Sequence, residues 1–404
     1  MDMRRSWDRV ALGGRASLVA SAALLGVIYA GSTIVTPLYP LYQRAFGVSE
    51  VTITLVYSTY VIGNLGALFL FGKVSDQAGR RPVSLCVLAL GGASTLLFLF
   101  AVDPAMLFLA RAASGLAIGV GAATATAWIA DLHPAPDKAR ASRLAAAVNL
   151  FGLAVGVLIS GLLAQFVALP LRTVYVIYLL VLMVTTVAVA RTRETIDASA
   201  RSPTQLSLKP RIGVPADARI AFIAPAVTAF ATFALLGFYA ALVPNLLANS
   251  MHLHSPALSG AVVAELFFAG AATVAATPML ASNVTMFIGL WLLLPSLALL
   301  LWAQAAGSFA LLIVATALSG IASAFGFRGS LQEANRIAPP ERRAQLLSAY
   351  LLCCYGGNAL PAVGVAWLSR QIGHLWANAV FAAVSAVLAF IALGVGARSS
   401  ARAG

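Results

Sequence analysis

Two long apolar runs are joined at residues 72–82 by the polar stretch GKVSDQAGRRP. The stretch holds four charged residues and two glycines, so it must lie in water. Each flanking run reaches the length of about 20 apolar residues that a helix needs to cross a bilayer. The stretch is therefore expected to be a hairpin between two membrane-spanning helices. The composition agrees, because 61% of the 404 residues are hydrophobic and 10% are charged, against roughly 25% charged residues in soluble domains.

Apolar windows of spanning length recur twelve times along the chain. They are too long and too uniformly apolar for the alternating strands of a barrel, so helices are expected. We therefore predict an all-α membrane protein with twelve transmembrane helices. The predicted spans are 17–39, 51–71, 83–102, 105–130, 144–166, 173–190, 220–246, 257–280, 284–303, 307–330, 345–368 and 375–396.

The basic residues are divided unequally between the two sides of the membrane. Twelve spans put both termini on one side, and 21 of the 26 Lys and Arg residues fall there, with three on the other side and two inside spans. By the positive-inside rule the basic side is cytoplasmic. The net charge of +13 then lies beside anionic lipid headgroups, so we expect the bilayer as partner and no nucleic acid. Short loops favour the inner membrane of a bacterium, and we expect a monomer.

The longest polar stretch, residues 191–218, separates six spans from six. The two halves resemble each other: residues 136–141 precede span five as residues 340–344 precede span eleven, at an offset of 204 that places Gly152 on Gly356. Duplicated six-helix halves are typical of secondary transporters, although two similar loops can also arise by chance. We predict two pseudo-symmetric bundles, 1–190 and 219–404, joined by a cytoplasmic linker at 191–218.

The polar hairpin is also expected to close the cytoplasmic side. Asp76 and Arg80 are four residues apart, so they face each other on a helical turn. Asp131 ends span four on the same side and can pair with Arg80, while Asp76 can dock at the positive amino-terminal end of span eleven. The alternative is a solvated loop that only sets the topology. The predicted latch consists of Gly72, Asp76, Gly79, Arg80, Arg81 and Asp131.

Two patterns resemble signatures of the major facilitator superfamily, and the resemblance covers essentially the whole chain. The hairpin fits the family's G-x-x-x-D-x-x-G-R-R loop between spans two and three. Residues 109–115, LARAASG, resemble its span-four signature, an Arg followed four residues later by a Gly. The resemblance implies that two six-helix bundles rock to give alternating access, with spans 1, 4, 7 and 10 around a central cavity.

The sequence departs from the family in two places. The proton-antiporter branch often carries G-x-x-x-G-P-x-x-G-G in span five, whereas residues 152–161 read GLAVGVLISG, with Val157 in place of Pro and Ser160 in place of a Gly. This weakens the indication of drug/proton antiport. The loop between spans eight and nine, residues 281–285, has no charges, so the latch is predicted in one half only.

Two ionisable residues well inside spans are the candidates for proton coupling. Arg111 lies in span four, where burying a charged side chain in lipid is energetically unfavourable. We therefore expect it to have a function, either tuning a proton relay or attracting an anionic group. The alternative is a structural Arg that bonds backbone carbonyls. Glu265 in span eight is the only acid well inside a predicted span. It is a candidate proton carrier, and the alternative is a Glu in a watery vestibule or paired with a donor.

Polar and aromatic residues of spans 1, 7 and 11 are the candidates for lining a substrate cavity. With few charges and several aromatics, such a cavity would suit an uncharged or amphipathic solute. The candidates are Tyr29, Ser32, Thr33, Thr36, Phe238, Tyr239, Asn245, Tyr355 and Asn358.

The predicted function is secondary active transport of a small organic solute, with protons as the coupling ion and export as the direction. Uptake by symport or facilitated diffusion is the alternative, and a membrane-embedded enzyme or sensor is a remote one. The sequence contains no G-x-x-x-x-G-K-[ST] nucleotide loop and no spacing of Cys and His typical of a metal site. We therefore expect no enzyme activity, no cofactor and no metal.

Overall fold

The computed structural model describes residues 12–71, 74–133, 138–196, 212–277 and 280–403. Within these ranges twelve helices are long and apolar enough to cross a membrane, which confirms the predicted all-α fold. The helices are α1 (Gly14–Thr33), α2 (Glu50–Phe71), α3 (Arg80–Leu99), α4 (Pro104–Leu132), α5 (Lys138–Phe166), α6 (Pro170–Ala190), α7 (Arg219–Ser250), α8 (Pro256–Ala276), α9 (Ser282–Ala305), α10 (Phe309–Ile337), α11 (Arg343–Ile372) and α12 (His374–Ala403).

The first span is longer than its apolar window. After α1 the chain tightens into a 3-10 turn at Thr36–Leu38 and continues as a short helix, Tyr39–Phe46. Pro37 lies in that turn, where its missing backbone N–H costs least. The first span therefore runs from Gly14 to Phe46, and the turn places Tyr39 among buried residues.

The helices form two six-helix bundles with the same packing order. In the first bundle α4 packs on α1, α2 and α3, while α5 packs on α1 and α6 on α3. In the second, α10 packs on α7, α8 and α9, while α11 packs on α7 and α12 on α9. Only the exact limits of the bundles and of the linker stay predictions, because residues 197–211 lie outside the described residues.

Close glycine contacts between helices repeat in both bundles. They show that Gly152 corresponds to Gly357, one residue later than the Gly356 predicted from the offset of 204. A Cβ atom on Gly152 would lie 2.4 Å from the carbonyl oxygen of Gly26 on α1. Its counterpart on α11 is Gly357, where a Cβ atom would lie 2.3 Å from the carbonyl oxygen of Phe230 on α7. Gly356 has no such close approach. Helix rotation, which the offset of 204 does not report, decides which of two neighbouring glycines meets the partner helix.

Two helix pairs join the bundles along their seam, α5 with α8 and α2 with α11. We call the membrane side that carries residues 191–218 the linker side and the opposite side the far side. The largest buried apolar cluster contains residues of both bundles, such as Leu38, Val157 and Leu246. Two smaller clusters belong to one bundle each, near the linker side: one contains Trp128 and the other Tyr350. The bundles thus share a core toward the far side and have separate cores toward the linker side.

Candidate functional site

Arg111, the eighth residue of α4, is surrounded by a cage of aromatic rings. Its side chain is 1% exposed, and Nη1 donates a 3.0 Å hydrogen bond to the backbone oxygen of Ser32. The ring centroids of Tyr39, Tyr57 and Tyr60 lie 5.9, 5.6 and 5.1 Å from Cζ. Aromatic faces attract a guanidinium, more strongly where water is excluded. The cage therefore makes it possible to bury a cation for which the described residues provide no carboxylate at ion-pair distance.

The tyrosine cage reaches across the seam to α11. The hydroxyls of Tyr57 and Tyr60 each donate a 2.8 Å hydrogen bond to Oδ1 of Asn358. Tyr57 and Asn358 are buried, whereas Tyr60 is half-buried. Because the two donors and the acceptor lie in different bundles, any motion that separates α2 from α11 must break both bonds. We call Arg111, the three tyrosines and Asn358 the central cluster.

Arg111 and Asn358 were predicted from the sequence as candidate site residues, whereas the three tyrosines were not. Tyr57 and Tyr60 are three residues apart and so share one face of α2, which is the available signal. A Tyr in an apolar span is common, however, and its spacing does not reveal which face meets the other bundle. Tyr39 reaches the cluster only because of the turn after α1.

The other predicted cavity residues of α1 and its following turn lie in three environments. Tyr29 is half-buried and lies beside Asn149 of α5. Ser32 and Thr33 donate to backbone carbonyls, the latter to Leu153 of α5 at 2.8 Å. Thr36 is buried, and its hydroxyl has no hydrogen-bond partner among the described residues. Of these four predicted residues, Tyr29 and Ser32 retain some exposure.

The predicted residues of the second bundle are also divided. Tyr355 is half-buried and faces Asn64 across the seam. Phe238 is fully buried and stacks on Phe381 at 4.9 Å. Tyr239 is also fully buried and is within hydrogen-bond distance of two hydroxyls of α10. In this conformation Phe238 and Tyr239 are core residues, whereas Tyr355 borders the seam.

A polar group closes the far side of the seam and was not predicted. A carboxylate oxygen of Glu50, the first residue of α2, lies 3.9 Å from Nδ1 of His374, the first residue of α12. Asn245 of α7 lies beside Glu50, which gives that predicted residue a position at the far side. On the same side, Ser255, which precedes α8, donates a 2.9 Å hydrogen bond to Gln165 at the end of α5. Glu50 lies one residue before the predicted span 51–71, and no sequence pattern singled it out.

The polar hairpin forms an ion-pair cluster at the linker end of the first bundle. Arg80, the first residue of α3, pairs with Asp76 at 2.5 Å and with Asp131 of α4 at 3.1 Å. Gly79 precedes it at φ +104°, a backbone conformation that favours glycine. Both ion pairs expected from the sequence are thus formed, within one bundle. Gly72 lies outside the described residues.

Glu194, in the predicted linker, caps the start of α3. Its two carboxylate oxygens accept hydrogen bonds from the backbone N–H groups of Arg80 and Arg81, at 2.9 and 3.0 Å. The first turn of a helix leaves its N–H groups unpaired, and its positive dipole end favours an anion. Trp128 and Ser17 bind the backbone of Arg193 next to it. The beginning of the predicted linker is therefore fixed to the first bundle.

Glu265 lies away from the central cluster, on the exposed face of α8. Its Oε2 atom is buried and has no hydrogen-bond partner among the described residues. No group of three or more His, Cys, Asp or Glu side chains that could hold a metal ion occurs in the described part of the chain.

Comparison with known proteins shows similarity to several transport and resistance proteins. The puromycin resistance protein pur8 of Streptomyces alboniger is 34% identical over 166 residues, which cover 41% of this chain and 31% of the relative. The cephamycin export protein CmcT of Amycolatopsis lactamdurans is 27% identical over 38% of this chain and 32% of its own. The lincomycin resistance protein of Streptomyces lincolnensis is 28% identical over 47% and 39%. The matched stretches thus span about a third of these relatives.

A family model matches a much longer part of the chain. The model described as Major Facilitator Superfamily matches residues 22–284, which include the polar hairpin, Arg111, the linker and Glu265. The match extends over more than half of the chain, and the twelve helices in two bundles agree with it. The chain therefore belongs to the major facilitator superfamily and is a multi-pass membrane protein.

Proposed function

We propose that the protein is a secondary transporter that exports a small organic compound in exchange for protons, by alternating access between its two bundles. The observation that carries the proposal is the state of the seam. The bundles share a core and polar contacts toward the far side, and they have separate cores toward the linker side. In this proposal the difference between the two sides corresponds to a transporter that is open to the linker side.

The linker side is the cytoplasm in this proposal, because it carries most of the Lys and Arg residues. Both termini are then cytoplasmic, in the inner membrane of a bacterium. The bundles correspond to residues 1–190 and 219–404, with the linker at 191–218, and the protein acts as a monomer. Export is favoured over uptake by the names of the relatives, which are resistance and export proteins. Family membership favours a transporter over a membrane-embedded enzyme.

The transport cycle follows from the contacts that cross the seam. Cargo enters between the separate cores and reaches the half-buried Tyr60 and Tyr355. There it competes for the Asn358 oxygen that holds α2 to α11. The far side then opens when the Glu50–His374 contact separates. A proton returns through the proton-coupling candidates, Arg111 and Glu265.

The polar hairpin is proposed to act in the opposite state of the cycle. When the linker side closes, Asp76 comes to the amino end of α11, where the helix dipole attracts a carboxylate. Arg80 and Asp131 hold Asp76 in position, and Gly79 permits the turn that carries it. The second bundle has no equivalent charges in the loop before α9, so the latch forms from one side.

The experiment is a transport assay with a panel of uncharged, cationic and anionic solutes in inside-out vesicles. We expect accumulation of at least one solute that requires an acidic vesicle interior and is lost when the pH gradient is collapsed. Accumulation that ignores the gradient would refute proton exchange. No movement of any solute by reconstituted protein, with and without a gradient, would refute transport. The variant Glu265→Gln is expected to lose gradient-driven transport and to keep solute exchange. Unchanged coupling in this variant would remove Glu265 from the proton path.

A further inference from the structure

We propose that the protein carries a second binding site on its membrane-facing surface, formed by Glu265, Phe268 and Phe151 outside the α5–α8 seam. The site takes a lipophilic organic cation from the bilayer. The inference rests on the proposed transport function, because it supplies an entrance for cargo that is dissolved in lipid.

The packing of α8 shows which way Glu265 faces. A Cβ atom on Gly270 would lie near Leu150 of α5 and near Gly320 and Ala324 of α10, so that side of α8 points into the protein. Phe268 lies at the other edge of the α5 contact, where its ring meets Phe151. The outer edge of the contact is therefore the one that carries Phe268.

Glu265 belongs to the exposed stripe that begins at this outer edge. Ala261, Glu265, Phe268 and Ala272 recur at intervals of three and four, so they share one face of the helix. Glu265 is half-buried and the other three are exposed. The stripe lies on the outside of the bundle, where a membrane protein meets lipid.

Glu265 lies at a depth in the membrane where water and polar side chains that could bind a carboxylate are scarce. It is the tenth residue of the 21-residue helix α8, so it lies near the middle of the membrane. Oε2 is buried, without a hydrogen-bond partner among the described residues. An unpaired carboxylate in such surroundings is unfavourable, and residues of this kind usually mark functional sites. A cationic ligand supplies the missing partner.

The other bundle shows that the fold itself does not require this carboxylate. Gly115 packs against the carbonyl of Tyr60, and Gly320 packs in the same way against the carbonyl of Leu266. Glu265 therefore corresponds to Thr59 of α2. The hydroxyl of Thr59 is satisfied by the carbonyl of Leu55 in its own helix. The same position thus carries a self-satisfied side chain in one bundle and an unsatisfied acid in the other.

The neighbouring rings select the class of ligand. Phe151 and Phe268 lie 6.1 Å apart in an edge-to-face arrangement and are 57% and 36% exposed. Aromatic faces bind cations, and the neighbouring residues of the stripe, Ala261 and Ala272, have small exposed side chains. A carboxylate beside two exposed rings fits a bulky organic cation and disfavours an anion.

The first test measures binding at equilibrium, with no gradient, using tetraphenylphosphonium and purified protein in lipid nanodiscs. We expect Glu265→Gln to weaken binding by about tenfold or more, the scale of a lost hydrogen bond to a charged group. Phe268→Leu should weaken it by about threefold. Glu333→Gln removes a similar charge from the linker end of α10, where it pairs with Arg336, and should change nothing. Equal binding by the parent and Glu265→Gln, or no binding by the parent, would overturn the proposal.

The second test asks where the carboxyl group faces. A lipid-soluble carbodiimide should label Glu265, a water-soluble one should not, and tetraphenylphosphonium should protect it. Equal labelling by both reagents would overturn the membrane-facing position. The outcomes also separate the two proposals. If the protein exports other solutes but does not bind the cation, only the proposal of this second site is refuted. If the protein binds the cation at Glu265 but transports nothing, only the proposed transport function is refuted.

Discussion

The contact between Gly161 of α5 and Gly260 of α8 gives the sharpest prediction about the seam. A Cβ atom on Gly161 would lie 2.6 Å from the carbonyl oxygen of Pro256 and 3.0 Å from Cα of Gly260. Ordinary contacts of this kind are 3.4–4 Å. Both obstacles are backbone atoms of the other bundle, so no side chain can rotate to make room. In Gly161→Ala the two helices must separate by several tenths of an ångström near the far side.

The cost of this separation falls on only one state of the transporter. Overpacking a well-packed contact costs about 1–3 kcal/mol, and the cost disappears when the far side opens. The population ratio of the two states should then shift toward the far-side-open state by about 5- to 150-fold. Gly66→Ala is the matched control, because no atom lies within 4 Å of a Cβ atom at Gly66.

The assay is a distance measurement between spin labels on the two bundles at the far side. Labels at Leu169 and Leu375 suit it, because both side chains are exposed near the far-side ends of α6 and α12. We expect a longer-distance population to appear or grow in Gly161→Ala, with the parent distribution retained in Gly66→Ala. An unchanged distribution in Gly161→Ala, or an equal shift in both variants, would show that the glycine contact does not hold the far side closed.

Three further predictions concern the central cluster and the linker. Asn358→Leu removes the acceptor of two tyrosine hydroxyls, at about 1–3 kcal/mol for each buried unpaired donor, so the Tm of the purified protein should fall by several degrees. Arg111→Lys keeps the charge but loses the flat guanidinium that the rings surround; transport should drop at least tenfold, by about 1.4 kcal/mol, while the amount of folded protein is retained. Glu194→Gln should accept weaker hydrogen bonds from the two backbone N–H groups at the start of α3. A loss of about 1 kcal/mol of hydrogen bonding makes the start of the linker detach more often, so trypsin should cleave after Arg193 about fivefold faster.

Each of these variants has a partner that makes a similar change elsewhere. Asn335→Leu alters a half-buried amide that donates to the carbonyl of Leu331 in its own helix. If Tm falls equally in Asn335→Leu and Asn358→Leu, the bonds across the seam contribute no more to stability than a bond within one helix. Arg143→Lys changes an exposed arginine of α5, and equal loss of transport there would argue against the cage. Glu333→Gln is the control for proteolysis, and unchanged cleavage in Glu194→Gln would show that the cap does not fix the linker.

The sequence is enough to predict the membrane architecture, because bilayer thickness imposes a length on every span. The same is true of the ion pairs of Arg80, since Asp76 is one helical turn away and Asp131 ends a span on the same side. The first span shows the limit of this reasoning. Hydropathy sets its end near residue 39, but the polar and aromatic residues after Pro37 continue as a helix to Phe46 because they pack at the seam.

The candidate site was harder to predict because it depends on helix rotation. Arg111 could be recognised as a buried charge from its place in an apolar span, but its partners come from the turn after α1, from α2 and from α11. Glu194 lies in a polar stretch that composition assigns to a linker, although its carboxylate is an integral part of the helix start. Glu265 was predicted as a proton carrier inside span eight, and its orientation becomes visible only from the contacts of Gly270 and Phe268.

Alternating access is tested most directly by measuring both ends of the seam in the same protein. One spin-label pair is placed at Leu169 and Leu375 on the far side, and the other at the exposed Arg140 and Glu341 on the linker side. Distances are recorded at neutral and acidic pH, with and without an exported solute. Alternating access predicts opposite changes: where the far-side distance lengthens, the linker-side distance shortens. Two distances that change in the same direction, or a seam that stays fixed while solute is transported, would contradict it.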